Sequence, residues 1–324
     1  MQSFPYTVLL IKNAREEQTM NLQNNLKKYL EFCKYRKELS PKTIKAYRID
    51  LTQYLHYISE NALQKEKIED YITQLHKKYK QKTVKRKIAS IKAFYRYLED
   101  AEIIKENPFH KIQVRFKETV NLPRIIPREE IEQLLNCMYK ILDTSSNVKK
   151  NYILRDIAVI EMFFATGARV YEISGIKKEC IDLNTGLVRF MGKGGKERYV
   201  QISNSHVLKI LKKYYVENET SIKKSGYFFI NQRGNRYTEQ SIRIMLQKYT
   251  QKAEIDRHIT PHMFRHSFAT YLIEDGVDIS CVQQILGHSS IKTTQIYIHI
   301  AAKKQAEILK RLHPRNRMKI SGAA

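Results

Sequence analysis

The sequence predicts a mostly helical protein with one small antiparallel β-sheet, and three features of the chain indicate this fold class. All eleven glycines lie at position 167 or later, so the first half needs no residue that readily adopts positive φ and is most simply built from helices. Apolar residues recur at helical spacing along most of the chain. Two short segments, 187–191 and 197–202, are typical of strands, and they flank the turn sequence GKGGK.

A chain of 324 residues is long enough for two domains that each bury a core. Residues 1–19 fit no element well, and a helical domain is expected over 20–105. The segment 106–123 breaks the helical period, contains two prolines and several basic residues, and is interpreted as an extended linker. Residues 124–324 then form the second domain.

The helical pattern of the first domain starts at Leu22, and a serine–proline pair before residue 42 predicts the start of a second helix. Weaker helices are predicted at 65–78 and 82–101. Their polar faces carry basic residues with few interleaved glutamates; the run is Lys77, Lys78, Lys80, Lys82, Lys85, Arg86, Lys87, Lys92 and Arg96. We expect a contact surface for the DNA backbone, centred on Lys82, Lys85, Arg86 and Lys87; the alternative is a solvated helix face.

In the second domain, a helix is predicted at 128–142, followed by a polar loop at 143–151 and a buried helix at 153–166. That helix ends in the sequence ATGAR, which places Arg169 just beyond it. The hairpin between the two strands carries Lys193 on its turn.

The charge balance bears on the partner. Lysine and arginine total 58 against 33 acidic residues, a formal net charge of +25. Such an excess favours a polyphosphate partner, because many Lys/Arg–phosphate contacts release counterions from nucleic acid. An anionic membrane would compete, but no apolar run approaches the roughly 20 residues of a transmembrane helix. The four cysteines form no CxxC pair, so neither a disulfide framework nor a cysteine-based zinc site is expected.

The segment 260–299 concentrates the chemistry-bearing residues. Thr260-Pro261 predicts a helix start, and His262 and Arg265, three residues apart, would share a face of that helix. A separate apolar stripe of Phe264, Phe268 and Tyr271–Leu272 would fix the helix in the core. A second short helix is expected from Asp278 to a C-terminal glycine at 287, with His288 at its exit and Tyr297 nine residues later.

Two other motifs point elsewhere but are incomplete. GKGGK suggests a phosphate loop, yet Glu197 stands where that motif needs serine or threonine, and a strand follows where it needs a helix. His262 and His266 have the spacing of zinc ligands, but Met263 replaces the glutamate of HExxH and no third ligand beyond His288 is evident. No metal ion or nucleotide cofactor is therefore expected.

Taken together, six residues occur in order within recognisable phrases: Arg169, Lys193, His262, Arg265, His288 and Tyr297. In ATGARVYEI, GKGGKERYV, TPHMFRHSFATYL and LGHSSIKTTQIYIH the sequence resembles the tyrosine site-specific recombinases, the phage integrase family, and within it the Xer type (XerC/XerD). RKELSPKTIKAYRIDLTQYLHYI resembles their N-terminal domain, and the likeness spans about 21–315. It implies a helical, SAM-like core-binding domain followed by a mixed α/β catalytic domain.

The resemblance also implies the residue roles, and the chemistry suits them. Arg169 and Arg265 would hold the scissile phosphate, because a guanidinium can meet two of its oxygens and stays charged. Lys193 would protonate the leaving 5′-oxygen, and Tyr297 would attack phosphorus to form a 3′-phosphotyrosyl link. His262 would take the tyrosine proton or orient the phosphate, and His288 would donate a hydrogen bond to it.

Glu172 and His266 are expected to support these six residues. Glu172 lies one turn after Arg169 and would orient it, with an ordinary surface carboxylate as the alternative. His266 is interpreted as a hydrogen-bonded supporting histidine.

The implied partners are double-stranded DNA with inverted-repeat half-sites and further copies of the chain, four protomers on two sites, or a related recombinase. A cytoplasmic, nucleoid-associated enzyme is expected, without a membrane. Two other functions stay open: DNA relaxation like that of a type IB topoisomerase, and non-catalytic DNA binding on the same fold. The target sequence, the choice between dimer resolution and mobile-element movement, and a native start at Met20 are left undecided by the sequence.

Overall fold

The computed structural model of the chain describes residues 22–58, 64–116, 124–192 and 197–287, with the backbone alone at 147 and 148. The chain divides into two compact units, residues 1–119 and 120–324. Within the described ranges, no helix is long and apolar enough to cross a membrane. Each unit has its own hydrophobic core.

The described part of the first unit consists of helices. They are α1 over residues 22–35, α2 over Pro41–Ile58, α3 over Lys65–Lys78 and α4 over Gln81–Asp100. Tyr29, Tyr54, Phe94 and Tyr95 are fully buried between them. The hydroxyl groups of Tyr54 and Tyr95 lie 2.7 Å apart, so each phenol satisfies the other where water does not reach. The helices predicted from the apolar period are confirmed here.

The predicted extended linker at 106–123 is wrong for its first part. Residues Pro108–His110 form a 3₁₀ turn, and Asn107 starts it by accepting a hydrogen bond from the Phe109 amide at 3.0 Å. Phe109 and Ile112 are buried in the core of the first unit. The prediction followed the prolines and charged residues of this segment, which are typical of a linker. A single turn is nevertheless enough to bury two apolar side chains that are three residues apart. Residues 117–123 lie outside the described ranges.

The second unit is also mainly helical. Its helices are α5 (Arg128–Thr144), α6 (Asn147–Thr166), α7 (Val170–Gly175), α8 (Ser205–Ser225), α9 (Glu239–Lys252), α10 (Pro261–Glu274) and α11 (Ile279–Leu286). Helix α6 lies at the centre, packed against α5, α8 and α10.

The polar loop predicted at 143–151 is wrong. Helix α5 continues to Thr144 and α6 begins at Asn147, so two residues join them. The polar residues belong to the first turns of α6. Among them, Asn151 exchanges side-chain hydrogen bonds of 3.1 and 2.6 Å with Asn218 on α8. A polar helix start that is held by a neighbouring helix has the composition of a loop, and only the packing separates the two.

The predicted hairpin is confirmed. Strands β1 (Leu187–Met191) and β2 (Glu197–Gln201) pair antiparallel, with Val188 opposite Val200 and Met191 opposite Glu197. Alternate side chains point inward: Phe190 from β1, and Arg198 and Val200 from β2, are buried. Lys193 falls in the interval 193–196, outside the described residues.

Candidate active site

Arg169 is positioned by the turn between α6 and α7. Helix α6 ends at Gly167, whose φ of 59° is left-handed; a Cβ added there would lie 2.5 Å from Phe268 Cδ1, so the position requires glycine. Arg169 is the N-cap of α7, and its backbone amide donates to Glu172 Oε2 at 2.7 Å. Its side chain is 26% exposed and donates through Nη1 to Glu172 Oε1 at 3.1 Å.

Glu172 is a buried carboxylate that contacts two arginines. Besides Arg169, it receives Arg198 Nη1 on Oε1 at 2.5 Å and Arg198 Nη2 on Oε2 at 2.8 Å. Burial by itself would raise the pKa of Glu172, but the hydrogen bonds and charge of Arg198, together with the amide and charge of Arg169, hold that pKa below its usual range. The alternative of an ordinary surface carboxylate is therefore excluded by the burial of Glu172, and its contact with Arg169 is the one that the sequence predicted.

Helix α10 places Arg265 beside the same turn. The predicted start is confirmed, with Thr260 at the N-cap and Pro261 in the first turn, although the threonine side chain makes no capping hydrogen bond. Arg265 is 5% exposed. It donates through Nη1 to the Gly167 carbonyl at 2.9 Å and through Nη2 to the Leu286 carbonyl at 2.7 Å. Arg265 thus lies against the backbone that leads into Arg169.

The predicted apolar stripe of α10 is only partly correct. Phe264 is fully buried and stacks on Phe163 of α6 with ring centroids 6.0 Å apart. Phe268, Tyr271 and Leu272 are half-buried instead. The helix is covered on more than one side, because α6 packs on one face and α11 on another.

His262 is exposed in the first turn of α10. It lines a cavity of about 290 Å³ together with Val170, the neighbour of Arg169, and residues of α9 that include Arg243 and Gln247. The cavity therefore joins the α7 turn that carries Arg169 to the start of the helix that carries Arg265.

The second short helix was predicted correctly. Asp278 caps α11 by accepting the Ser280 amide at 2.7 Å, and Gly287 ends it with a φ of 62°. The predicted site residues His288 and Tyr297 follow this helix, and like Lys193 they lie outside the described residues. Of the six predicted catalytic residues, the structure therefore describes Arg169, His262 and Arg265. Arg265 contacts the turn that precedes Arg169, and His262 lines one cavity with Val170, the neighbour of Arg169.

The basic face of the first unit differs from the prediction at Lys87. This side chain is 3% exposed, and its Nζ lies 3.1 Å from Asp50 Oδ1 and 2.5 Å from Gln53 Oε1. Lys87 is thus a buried partner of Asp50, and the expected DNA contact is wrong at this position. Its helical phase turns it from the basic face towards α2.

The other three predicted contacts remain at the surface to different degrees. Lys82 is exposed, and Lys85 is half-buried with its ammonium 5.0 Å from the Phe116 ring centroid. Arg86 is exposed but forms an ion pair with Asp50. Their contact with DNA stays a prediction.

Comparison with known proteins identifies the family. The phage integrase family matches residues 124–304, which contain the whole of the site described above. The chain belongs to the phage integrase family of tyrosine site-specific recombinases. The N-terminal SAM-like domain of phage integrases matches residues 26–102, so the helical first unit of this recombinase is of that type.

Curated relatives of the recombinase cover nearly its whole length. A tyrosine recombinase of Agathobacter rectalis is 48% identical over 91% of this chain and 98% of the relative. XerD of Halalkalibacterium halodurans is 33% identical over 91% of this chain and 99% of the relative. XerC of the same organism is 34% identical over 91% of this chain and 100% of the relative.

Solved structures share the fold. XerH bound to palindromic difH DNA in a post-cleavage complex has a TM-score of 0.70 at 24% identity, covering 92% of this chain and 89% of that one. The Tn1549 transposon integrase with a circular-intermediate DNA has a TM-score of 0.65 at 19% identity, covering 89% and 99%. The predicted fold class, mainly helical with a small sheet, is confirmed.

Sequence reasoning missed Arg198, which the structure places in contact with Glu172. The signal that could have revealed it is the strand period: Arg198 shares the inward face of β2 with Val200. An arginine on the buried face of a strand requires a partner there, and an acidic partner was available at Glu172.

Among the described residues, no three His, Cys, Asp or Glu side chains come together as a metal cluster.

The burial of Lys87 leads to a first prediction. Lys87→Met should lower the free energy of unfolding by about 1–3 kcal/mol, because it leaves Asp50 with fewer buried partners. Lys82→Gln should leave that free energy within about 0.5 kcal/mol but weaken DNA binding and reduce the salt slope by about one. Urea unfolding and salt-titrated DNA binding measure the two effects; equal stability losses in both variants would contradict the assignment.

His266 leads to a second prediction. Burial, with the nearby charges of His262 and Arg265, lowers the pKa of His266 below its ordinary value. The unfolded chain then binds more protons at this residue than the folded one, so its contribution to stability is complete above about pH 6.5 and is lost as the pH falls further. His266→Gln should flatten the fall in Tm between about pH 7 and pH 5. A matched His206→Gln variant on α8 serves as the control, and an unchanged pH profile in His266→Gln would refute the prediction.

Proposed function

We propose that this recombinase cuts and rejoins DNA through a covalent 3′-phosphotyrosyl intermediate on Tyr297. The tyrosine oxygen attacks phosphorus, the P–O bond to the 5′-oxygen breaks, and that oxygen leaves as a hydroxyl by taking a proton from Lys193. A 5′-hydroxyl from a second duplex then attacks the phosphotyrosine and releases the tyrosine. The bond energy of the ester is kept throughout, so no nucleotide is consumed.

The observation that carries this proposal is the joining of Arg265 to the turn of Arg169. Arg265 donates to the carbonyl of Gly167, two residues before Arg169, and the side chain of Arg169 pairs with Glu172. Two arginines held at the same turn would suit a phosphodiester whose equatorial oxygens gain charge in the transition state. His262, which lines the adjoining cavity, would orient the phosphate or take the tyrosine proton.

The proposed substrate is double-stranded DNA with inverted-repeat half-sites. The net charge of +25 and the exposed lysines of the first unit support a phosphate-rich partner. XerH was solved on palindromic difH DNA and the lambda integrase as a dimer on a core site. A two-fold repeat in the DNA is what identical protomers require, because each presents the same surface to its half-site.

We further propose that four protomers, or this protein with a related recombinase, assemble on two such sites. The chain after Ala301 would contact a neighbouring protomer and carries apolar residues at Ile308, Leu309 and Leu312. A groove of about 420 Å³ on the second unit offers a receiving surface of half-buried apolar residues: Leu135, Phe164, Phe268, Tyr271 and Leu272.

The proposed location is the cytoplasm at the nucleoid, where such DNA lies, and the cellular role is resolution of chromosome or plasmid dimers or movement of a mobile element.

Exchange between two differently labelled duplexes tests this function. Wild-type protein should produce duplexes that carry both labels, each with one breakpoint at a defined position. A type IB topoisomerase-like enzyme would relax supercoiled plasmid without joining the labels, and a non-catalytic DNA-binding protein would do neither. Sequencing the DNA trapped on Tyr297 from random fragments would identify the target site and separate the two cellular roles.

A further inference from the structure

Arg198 reaches three separate segments of the second unit. From the inward face of β2, its Nη atoms donate to both oxygens of Glu172, and its Nε donates to the Ile285 carbonyl at 2.9 Å. Its guanidinium lies 4.6 Å from the Phe190 ring centroid on the neighbouring strand. The residue is 8% exposed, so it cannot itself be an open phosphate contact.

The end of α11 is built around this side chain. Gly287 has positive φ, and a Cβ added there would lie 2.9 Å from Arg198 Cδ. Arg198 and Arg265 together hold the last carbonyls of α11, at Ile285 and Leu286. Cations at the C-terminal end of a helix are stabilised by its exposed carbonyl groups. Arg198 therefore connects the Arg169–Glu172 turn to the helix that directly precedes His288.

The charges of this cluster decide what reaches the substrate. Glu172 is shared by Arg169 and Arg198, so two guanidiniums and one carboxylate leave one net positive charge. Without Arg198, the same carboxylate would neutralise Arg169 alone and could bind it through both oxygens. Coulomb interactions among buried groups are strong, so the sharing of Glu172 affects how much positive charge Arg169 presents to the phosphate.

We propose that Arg198 is a positioning residue for DNA cleavage. By neutralising Glu172, it leaves the positive charge of Arg169 uncompensated and keeps the Arg169 side chain oriented for the scissile phosphate. The inference rests on the proposed role of Arg169 as a phosphate ligand. Through Arg198, strand β2 would set the electrostatics of the turn that carries Arg169.

The first experiment measures single-turnover formation of the covalent adduct at saturating DNA. Arg198→Met should slow cleavage roughly 100-fold, comparable to the loss of one transition-state hydrogen-bond donor. DNA affinity should stay near that of the wild type. Arg189→Met is the matched control, because Arg189 on β1 pairs with Glu197 on the exposed side of the same hairpin. It should cleave like the wild type.

The double variant Arg198→Met/Glu172→Gln tests whether the unpaired charge of Glu172 causes the defect of Arg198→Met. It removes both charges of a buried pair, which folded proteins tolerate better than one unpaired charge. If Arg198 acts by neutralising Glu172, the double variant should cleave faster than Arg198→Met. Arg198→Lys should likewise recover part of the rate, because it restores the charge without the two-pronged contact. A double variant as slow as or slower than Arg198→Met would overturn the proposal.

A methylphosphonate at the scissile position supplies the decisive readout. This linkage lacks the negative charge that Arg169 is proposed to hold, so a cleavage defect that acts through Arg169 should shrink on it. Arg198→Met and Arg169→Met should both lose most of their deficit relative to the wild type. If Arg169→Met responds and Arg198→Met does not, the role of Arg198 is refuted; if neither responds, the assignment of Arg169 fails and the inference fails with it.

Discussion

Tyr297→Phe should abolish the covalent protein–DNA adduct while leaving DNA affinity unchanged within about 0.5 kcal/mol. The substitution removes one oxygen, which in the proposed reaction is the atom that attacks phosphorus. Phenylalanine keeps the aromatic ring but has no nucleophilic atom. Because the proposed ester forms on that oxygen, the expected loss is complete rather than partial.

The measurement uses a DNA substrate nicked just downstream of the cleavage site, so that the short fragment carrying the new 5′-hydroxyl diffuses away. The adduct then accumulates and can be separated under denaturing conditions. Tyr215→Phe is a suitable control, because Tyr215 on α8 is half-buried and its hydroxyl makes one hydrogen bond of 3.3 Å, to Glu219. The control should form adduct like the wild type. An adduct that survives in Tyr297→Phe would eliminate Tyr297 as the nucleophile.

Arg265→Ala should slow cleavage about 100- to 1000-fold, the range found when a donor to a developing oxyanion is removed. It should also lower the free energy of unfolding by about 1–3 kcal/mol, because the Gly167 and Leu286 carbonyls lose a charged donor in a buried place. The two effects come from one side chain, since the guanidinium proposed to bind the phosphate also bonds to the backbone on both sides of it.

Comparison with Arg169→Ala separates these contributions. Arg169 is 26% exposed, and without it Glu172 still pairs with Arg198. Arg169→Ala should therefore slow cleavage as strongly as Arg265→Ala but lower the free energy of unfolding by less. Single-turnover cleavage at saturating DNA and urea unfolding measure both quantities. Cleavage by Arg265→Ala at the wild-type rate would remove it from the catalytic set, and equal unfolding free energies for the two variants would contradict its backbone role.

Several features followed from local sequence patterns. The period of apolar residues predicted α2, α4 and α5, and the two short strand-like segments on either side of GKGGK predicted the hairpin of β1 and β2. Caps predicted the limits of α11, because Asp278 and Gly287 satisfy helix ends through their own side chain or backbone. These features depend on interactions within a few residues, which is why the linear sequence carries them.

The errors arose where distant partners decide the outcome. Lys87 has the composition of a basic surface, yet Asp50, 37 residues earlier, holds it in the core. The turn at Pro108–His110 looks like linker until Phe109 and Ile112 are buried by the helices before it. In both places the sequence near the residue is the same whether it is exposed or buried, and the packing of another element chooses.

The order and identity of the six predicted catalytic residues were determined by the sequence itself, since each lies in a local phrase of the family. Only the tertiary structure decided how their supports are connected: Glu172 shared between Arg169 and Arg198, and Arg265 spanning Gly167 and Leu286. Apart from the bond between Arg169 and Glu172, these bonds join residues 21 to 98 positions apart. Burial makes them obligatory, because a carboxylate or a guanidinium withdrawn from water must find its partners within the fold.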